Sequence, residues 1–140
     1  MFLQTNDYKA VCDSRTLDVI TQSDDSNRAR AELTAQEEVA SYLRSRYDIA
    51  AAFAAEGNAR NPFLVQITAN IALYYMVHWL PHNLGLDARR ELYDDAIAWL
   101  TKVQKGAASP DLPLYTTEEG DTDTGNPVKF GCMSKQDYTY

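Results

Sequence analysis

Apolar residues recur every three or four positions in three long stretches of the chain, a spacing typical of amphipathic helices. In the first stretch, after a polar run from Thr21 to Asn27, the predicted core-facing positions are Leu33, Gln36, Val39, Ala40, Leu43 and Tyr47. The charged residues Glu37, Glu38, Arg44 and Arg46 fall mostly off this stripe. We therefore expect these four side chains to form a solvated or partner-facing surface.

The second long helix is predicted to start at Asn61 and Pro62 and to run to about Leu80. Asn accepts hydrogen bonds from the free N–H groups of a first turn, and Pro has no N–H to leave unpaired there. The apolar stripe is wide enough for the central element of a bundle, and it comprises Leu64, Ile67, Ile71, Tyr74, Tyr75 and His78.

The third long helix is predicted over Ala88 to Lys105, with Asp87 as its N-cap and Gly106 as its stop. Its predicted core-facing positions are Leu92, Tyr93, Ala96, Trp99, Leu100 and Val103. Pro81 and Gly85 indicate a loop before it. Three long helices with short links predict an antiparallel or crossed bundle.

Shorter helices are predicted on either side of the first long one. Residues Thr5 to Ile20 indicate two short helical turns, with Thr5 and Asp13 as N-caps. The alanine-rich stretch from Ile49 to Ala55 indicates a short helix or an ordered loop that ends near Gly57. The predicted fold class is all-α: a small helical bundle of three long helices plus short N-terminal helices.

Residues 107–140 differ in composition from this helical domain, which we assign to residues 1–106. They hold six acidic residues against two lysines, and three prolines that block helix continuation. The segment is predicted to be an extended or flexible acidic tail. Its apolar and aromatic positions could form a strand or hairpin on assembly, and they are Val128, Phe130, Cys132, Met133, Tyr138 and Tyr140.

The composition is that of one globular domain, with 140 residues, 45% hydrophobic and 24% charged. A formal net charge of -7 disfavours tight DNA or RNA binding. Cys12 and Cys132 lie far apart and suggest neither a zinc site nor a disulfide framework. The N-terminus has no secretory pattern, and polar residues interrupt the most apolar stretch, Phe63 to Leu80, so we expect neither export nor a membrane span.

No pattern in the sequence predicts an enzyme, a cofactor or a metal site. His78 and His82 are four residues apart, but Pro81 intervenes, and His78 is better explained by packing. The run that contains Asp121 and Asp123 lacks the glycine and glutamate positions of a calcium loop. Phosphate-binding glycine loops and nucleophile elbows are also absent from the sequence.

Three segments together resemble a known family: AELTAQEEVASYLRSRYDI, RNPFLVQITANIALYYMVHWL and RRELYDDAIAWLTKVQKGAASPDLP. They resemble the Mu-like family of small phage virion proteins at the head-tail junction, which is related to head-tail connector, adaptor and head-completion proteins. The likeness covers roughly residues 1 to 113. It rests on the order and spacing of the three helical segments, since each one alone is a common amphipathic pattern.

The resemblance implies a non-enzymatic virion subunit, assembled in the host cytoplasm, that docks on the portal protein as an oligomeric ring. Its expected partners are the portal, neighbouring copies of itself and a tail or stopper protein, with DNA passing through the channel without specific binding. Two other classes stay open: an acidic helical interaction or regulatory module outside the virion, and, less favoured, a small hydrolase or metal enzyme.

We expect the partner contacts to involve charged residues of the first long helix and the apolar residues of the otherwise polar tail. Tyrosine offers a large contact area with few torsions to freeze, and the tail is too polar to bury its tyrosines alone. The predicted interface residues are Glu37, Glu38, Arg44, Arg46, Tyr115, Val128, Phe130, Tyr138 and Tyr140. Our hypothesis is that residues 107–140 order only on assembly, on the portal or on a neighbouring subunit.

Overall fold

The computed structural model describes residues 2–21, 25–78, 80 and 85–116, and it confirms the all-α fold class. Three helices are long, and the others are short. The elements are α1 Thr5–Tyr8, α2 Ser14–Thr21, α3 Asp25–Leu43, α4 Ile49–Ala54, a 3-10 turn Gly57–Ala59, α5 Pro62–Val77 and α6 Leu86–Gln104.

Helix α5 is the centre of the bundle, as its wide apolar stripe predicted. Ten of its sixteen residues are buried. Helices α3 and α6 pack against it and against each other, and α1 and α2 also contact it. The core side chains with almost no exposed area include Leu43, Leu64, Ile71, Leu73, Met76, Leu100 and Val103.

The predicted start of α5 and the predicted stop of α6 are both confirmed. The Asn61 side chain accepts hydrogen bonds from the backbone N–H groups of Phe63 and Leu64, each at 3.0 Å. Gly106 adopts a φ of 78°, a left-handed conformation that glycine takes without a Cβ penalty. A Cβ there would lie 2.8 Å from Nη1 of Arg46, so the same glycine also admits a close side chain.

Three predicted helix ends are wrong. Asp87 is not the N-cap of α6, because Gly85, with a φ of 77°, starts the helix two residues earlier. Thr5 is not the cap of α1, because Gln4 and Asp7 form a reciprocal capping box one residue ahead of it. Helix α5 ends at Val77, short of the predicted Leu80.

The predicted stripe is confirmed at Val39, Ala40, Leu43 and Tyr47, but in the N-terminal half of α3 the buried face lies one position earlier than predicted. Leu33 is 65% exposed, whereas the neighbouring Glu32 is fully buried. The helix buries Ala31, Glu32, Ala35, Val39, Ala40 and Leu43. The prediction at Leu33 is wrong because a buried carboxylate is tolerated where partners satisfy it, and Glu32 has Arg28 of α3 and Tyr8 of α1 as partners.

The described residues after Gly106 touch the helical body at several points. Leu112 and Ala108 contact the core, and the backbone N–H of Asp48 donates to the carbonyl oxygen of Pro113 at 2.8 Å. Leu114 then forms an antiparallel bridge with Tyr47. The predicted interface residues Val128, Phe130, Tyr138 and Tyr140 lie outside the described residues.

Among the described residues, no helix combines the length and the hydropathy that a membrane span requires.

Candidate interaction surface

Glu38 connects the three long helices from inside the bundle. The Tyr93 hydroxyl donates to its Oε1 at 2.6 Å, and the Tyr75 hydroxyl donates to its Oε2 at 2.9 Å. Both carboxylate oxygens of this half-buried residue are therefore used within the chain. Glu38 is thus held by two tyrosines of α5 and α6, while its place in a partner interface stays a prediction.

The two tyrosine hydroxyls remain protonated at neutral pH. Burial, followed by the hydrogen bond to Glu38, raises the pKa of Tyr75 to about 12. The same two causes raise the pKa of Tyr93 further above its usual value. The Tyr93 ring also stacks on Tyr74, with 4.2 Å between ring centroids. The cluster thus consists of neutral donors around one carboxylate and stabilises the bundle.

His78 packs its ring against Tyr74, with 4.7 Å between centroids. His82, which with His78 formed the metal-ligand pair considered from the sequence, lies outside the described residues. In the described part of the chain, no group of three or more His, Cys, Asp or Glu residues is placed to hold a metal ion.

Glu37 and Arg44 form an ion pair on the surface of α3. Arg44 Nη2 lies 2.8 Å from Glu37 Oε1, and the two side chains are 57% and 71% exposed. Arg46 differs from them, because its Nη1 donates to the carbonyl oxygen of Val103 at 3.2 Å, beside Gly106. Arg46 therefore links the end of α3 to the last turn of α6, while Glu37 and Arg44 stay accessible.

A second carboxylate, Glu32, holds the N-terminal segment on the bundle. Its Oε1 accepts from the Tyr8 hydroxyl at 2.7 Å and from Arg28 Nε at 2.8 Å. Its Oε2 is buried without a hydrogen-bond partner in the described residues. Burial and the nearby Glu32 raise the pKa of Tyr8, so this hydroxyl is also a neutral donor. The sequence signal for this site was the spacing of four residues between Arg28 and Glu32.

Arg60 fixes the N-terminus at the start of α5. Its Nη1 lies 2.6 Å from Asp7 Oδ2 and donates to the carbonyl oxygen of Phe2 at 2.8 Å. Burial acts to raise the pKa of Asp7, but the hydrogen bonds from Arg60 and from the backbone of Gln4 outweigh it, and the pKa is lowered. This ion pair is largely shielded from water, unlike that of Glu37 and Arg44.

An apolar groove of about 170 Å³ runs between α5 and α6. Phe63 is 45% exposed and Leu92 is 38% exposed, and Phe63 meets Trp99 edge to face at 4.9 Å. The lining residues are Phe63, Gln66, Ile67, Asn70, Leu92, Asp95, Ala96 and Trp99. The helical pattern had assigned Leu92 and Trp99 to the core, but neither is fully buried.

Exposed apolar side chains also mark the end of the bundle where the described chain stops. Leu114 is 42% exposed and Tyr115 is 51% exposed, next to the bridge with Tyr47. The structure therefore places one predicted interface residue of the tail, Tyr115, on an open surface. Neither Leu114 nor Tyr115 is among the residues that line the α5–α6 groove.

Comparison with protein families gives a match over most of the chain. The family model described as Bacteriophage Mu, Gp36 matches residues 3–129. The chain belongs to this Gp36 family. Searches of curated proteins and of solved structures return no match. The resemblance to Mu-like phage proteins is therefore confirmed at the level of the family.

The Gp36 match includes all six helices and extends beyond the last described residue, Thr116. It covers both the α5–α6 groove and the exposed residues Leu114 and Tyr115. Of the predicted tail interface residues, Val128 falls within the matched range, and Phe130, Tyr138 and Tyr140 lie beyond it.

Proposed function

We propose that this Gp36-family chain is a head-tail connector, an adaptor subunit that docks on the portal as an oligomeric ring. In this role it joins the DNA-filled capsid to the tail or to a stopper protein. The observation that carries the proposal is the family match over residues 3–129, and the resemblance to Mu-like virion proteins implies a place at the head-tail junction.

A ring subunit needs two different contact faces, because neighbours in a closed ring meet through heterologous surfaces. The chain offers two candidate contact faces. One is the α5–α6 groove with its exposed Phe63 and Leu92. The other contains Leu114 and Tyr115 at the end of the bundle. The exposed Glu37–Arg44 pair adds charges that could set the register between subunits.

The charge of the chain also fits a channel through which DNA moves. A net charge of -7 repels the phosphate backbone, so a ring of such subunits would let the genome slide, whereas a basic lining would retain it. This explains why a DNA-adjacent protein can be acidic. The contacts with the portal, with the tail and with neighbouring copies of the chain are then contacts between proteins, to which DNA binding contributes nothing.

Interrupting the gene in a phage that encodes this chain tests the proposal. We expect particles in which heads and tails accumulate separately under the electron microscope, because the joint between them is missing. Supplying the full chain in trans should restore joined particles, and supplying a chain that ends at Thr116 tests whether the tail is needed. Normal joined virions without the chain would refute the connector role and favour a regulatory module outside the virion.

A further inference from the structure

The α5–α6 groove has the features of a site for an extended peptide. It presents two partly exposed rings, Phe63 and Trp99, at one end and Leu92 at the other. Asn70 lines it, is 7% exposed, and leaves its Oδ1 without a hydrogen-bond partner among the described residues. An extended backbone brings N–H groups that such an acceptor can bind.

One edge of the groove is acidic. Asp95 lines it, and Glu91, one turn earlier on α6, is exposed on the same flank. Neither carboxylate makes an ion pair within the described part of the chain. The groove therefore favours an apolar segment that carries positive charge.

The chain itself contains one segment of this kind. Val128, Phe130 and Cys132 alternate along the sequence, so in an extended conformation they share one face. Lys129 and Lys135 accompany them and are the only basic residues after Lys105. The length also fits, because Val128 to Cys132 spans about 13 Å when extended, and Phe63 to Asn70 spans about 10 Å of helix.

The described chain stops within reach of the groove. Asn61 Nδ2 donates to the carbonyl oxygen of Asp111 at 3.0 Å, which places residue 111 beside the Phe63 end. Residues 117–127 follow Thr116 and span up to about 36 Å when extended. A tethered segment has an effective concentration in the millimolar range, which favours its own groove over that of a free second copy.

We propose that residues 128–133 of the same chain occupy the α5–α6 groove in the free subunit, with Phe130 against Phe63 and Trp99 and Lys129 near Asp95. This differs from the expectation that the tail orders only on assembly. It does not depend on the connector role, because it concerns the free subunit; a neighbour that uses the groove in a ring would displace this segment.

Disulfide trapping in the full-length chain tests this placement. A chain that enters at the Phe63 end carries Cys132 toward Leu92, so a Leu92→Cys variant should form an intramolecular disulfide with Cys132 under oxidised glutathione. Leu33→Cys is the control, a leucine on α3 that is more exposed than Leu92, so accessibility alone would favour the control. The other native thiol, Cys12, is buried. Non-reducing electrophoresis at low protein concentration gives the rate of disulfide formation, and peptide mass spectrometry identifies the two cysteines that are joined.

We expect the disulfide with Cys132 to form about tenfold faster in Leu92→Cys than in Leu33→Cys. Adding Phe130→Ala to the Leu92→Cys variant should slow disulfide formation about tenfold. Lys129→Glu should slow trapping, and adding Asp95→Lys should restore it, which a merely unfolded variant would not show. Equal rates in the two thiol variants would overturn the proposal. Disulfides that form only between molecules would overturn it too, because the occupant would then be a second copy.

Discussion

At the scale of single residues, two glutamates of the same helix have different roles because their neighbours differ. Glu32 is fully buried against Tyr8 and Arg28, whereas Glu37 pairs with Arg44 in water. A carboxylate removed from water depends on its partners, and the partners in turn depend on it. The same residue type is therefore essential at one position and dispensable at the other.

Replacing Glu32 with Ala should lower the free energy of unfolding by about 3–5 kcal/mol, because it leaves the buried Tyr8 hydroxyl without its acceptor and the Arg28 guanidinium without its counterion. Glu37→Ala is the matched control and should cost less than about 1 kcal/mol. Urea denaturation followed by circular dichroism measures both. Equal losses in the two variants would contradict the structural role of Glu32.

The tyrosines around Glu38 predict a loss of stability at alkaline pH. The pKa of Tyr75 is raised in the folded chain to about 12, above the value of about 10 in an unfolded chain. The stabilisation is therefore complete below pH 10 and is lost as the pH rises toward 12. Tyr75→Phe should be less stable than wild type at pH 8, and this difference should shrink between pH 10 and 12.

Thermal unfolding at a series of pH values measures this effect. Tyr115→Phe is the control, since its side chain is exposed and forms no part of the Glu38 cluster. A difference between wild type and Tyr75→Phe that stays constant up to pH 12 would show that the hydroxyl is not held in its neutral form by folding.

At the scale of helices, the ends of α3 and α6 are held together by a glycine and an arginine. Gly106 ends α6 in a left-handed conformation, and Arg46 Nη1 occupies the space where a Cβ would be. The link joins two helices that the sequence pattern treats as separate. It also positions residues 107–116, which continue along the same end of the bundle.

Gly106→Ala should destabilise the chain more than Gly57→Ala. Both glycines have a positive φ, so each variant pays a backbone penalty of about 1–2 kcal/mol. Only at Gly106 must the flexible end of Arg46 also move aside, which adds about 1 kcal/mol at most through its hydrogen bond to Val103, since nothing lies within 4 Å at Gly57. Chemical denaturation measures both variants, and equal effects would mean that the Arg46 contact contributes nothing.

The predictable parts of these helices were those decided by neighbouring residues. The start of α5 at Asn61 and Pro62 and the stop of α6 at Gly106 follow from local chemistry, and the structure confirms them. The error at Leu33 has another origin. Glu32 is buried in its place because Tyr8, which is distant in sequence, packs against it, and an amphipathic pattern carries no information about such partners.

The candidate site was less predictable than the fold for the same reason. Leu92 and Trp99 fit the helical stripe of α6 and were assigned to the core, although they line an open groove. Whether a stripe is covered depends on how closely the neighbouring helix packs. Only the paired arrangement of α5 and α6 reveals the groove beside Asn70.

At the scale of the whole molecule, the net charge of -7 predicts weak interaction with DNA. The purified chain should not retard duplex DNA in a gel-shift assay at physiological salt, even at micromolar concentration. A strongly basic DNA-binding protein serves as the positive control. Retardation that disappears on raising the salt would indicate a phosphate-binding surface and would contradict a channel that lets the genome slide.

The most direct test of the connector role is native mass spectrometry of the chain mixed with the portal protein of the same phage. Our account predicts a complex in which the copies of this chain form a ring on the portal oligomer, whether or not the free chain is monomeric. If both proteins are folded in the mixture and no complex forms between them, the account is contradicted, and the chain belongs elsewhere among the proteins of a Mu-like phage.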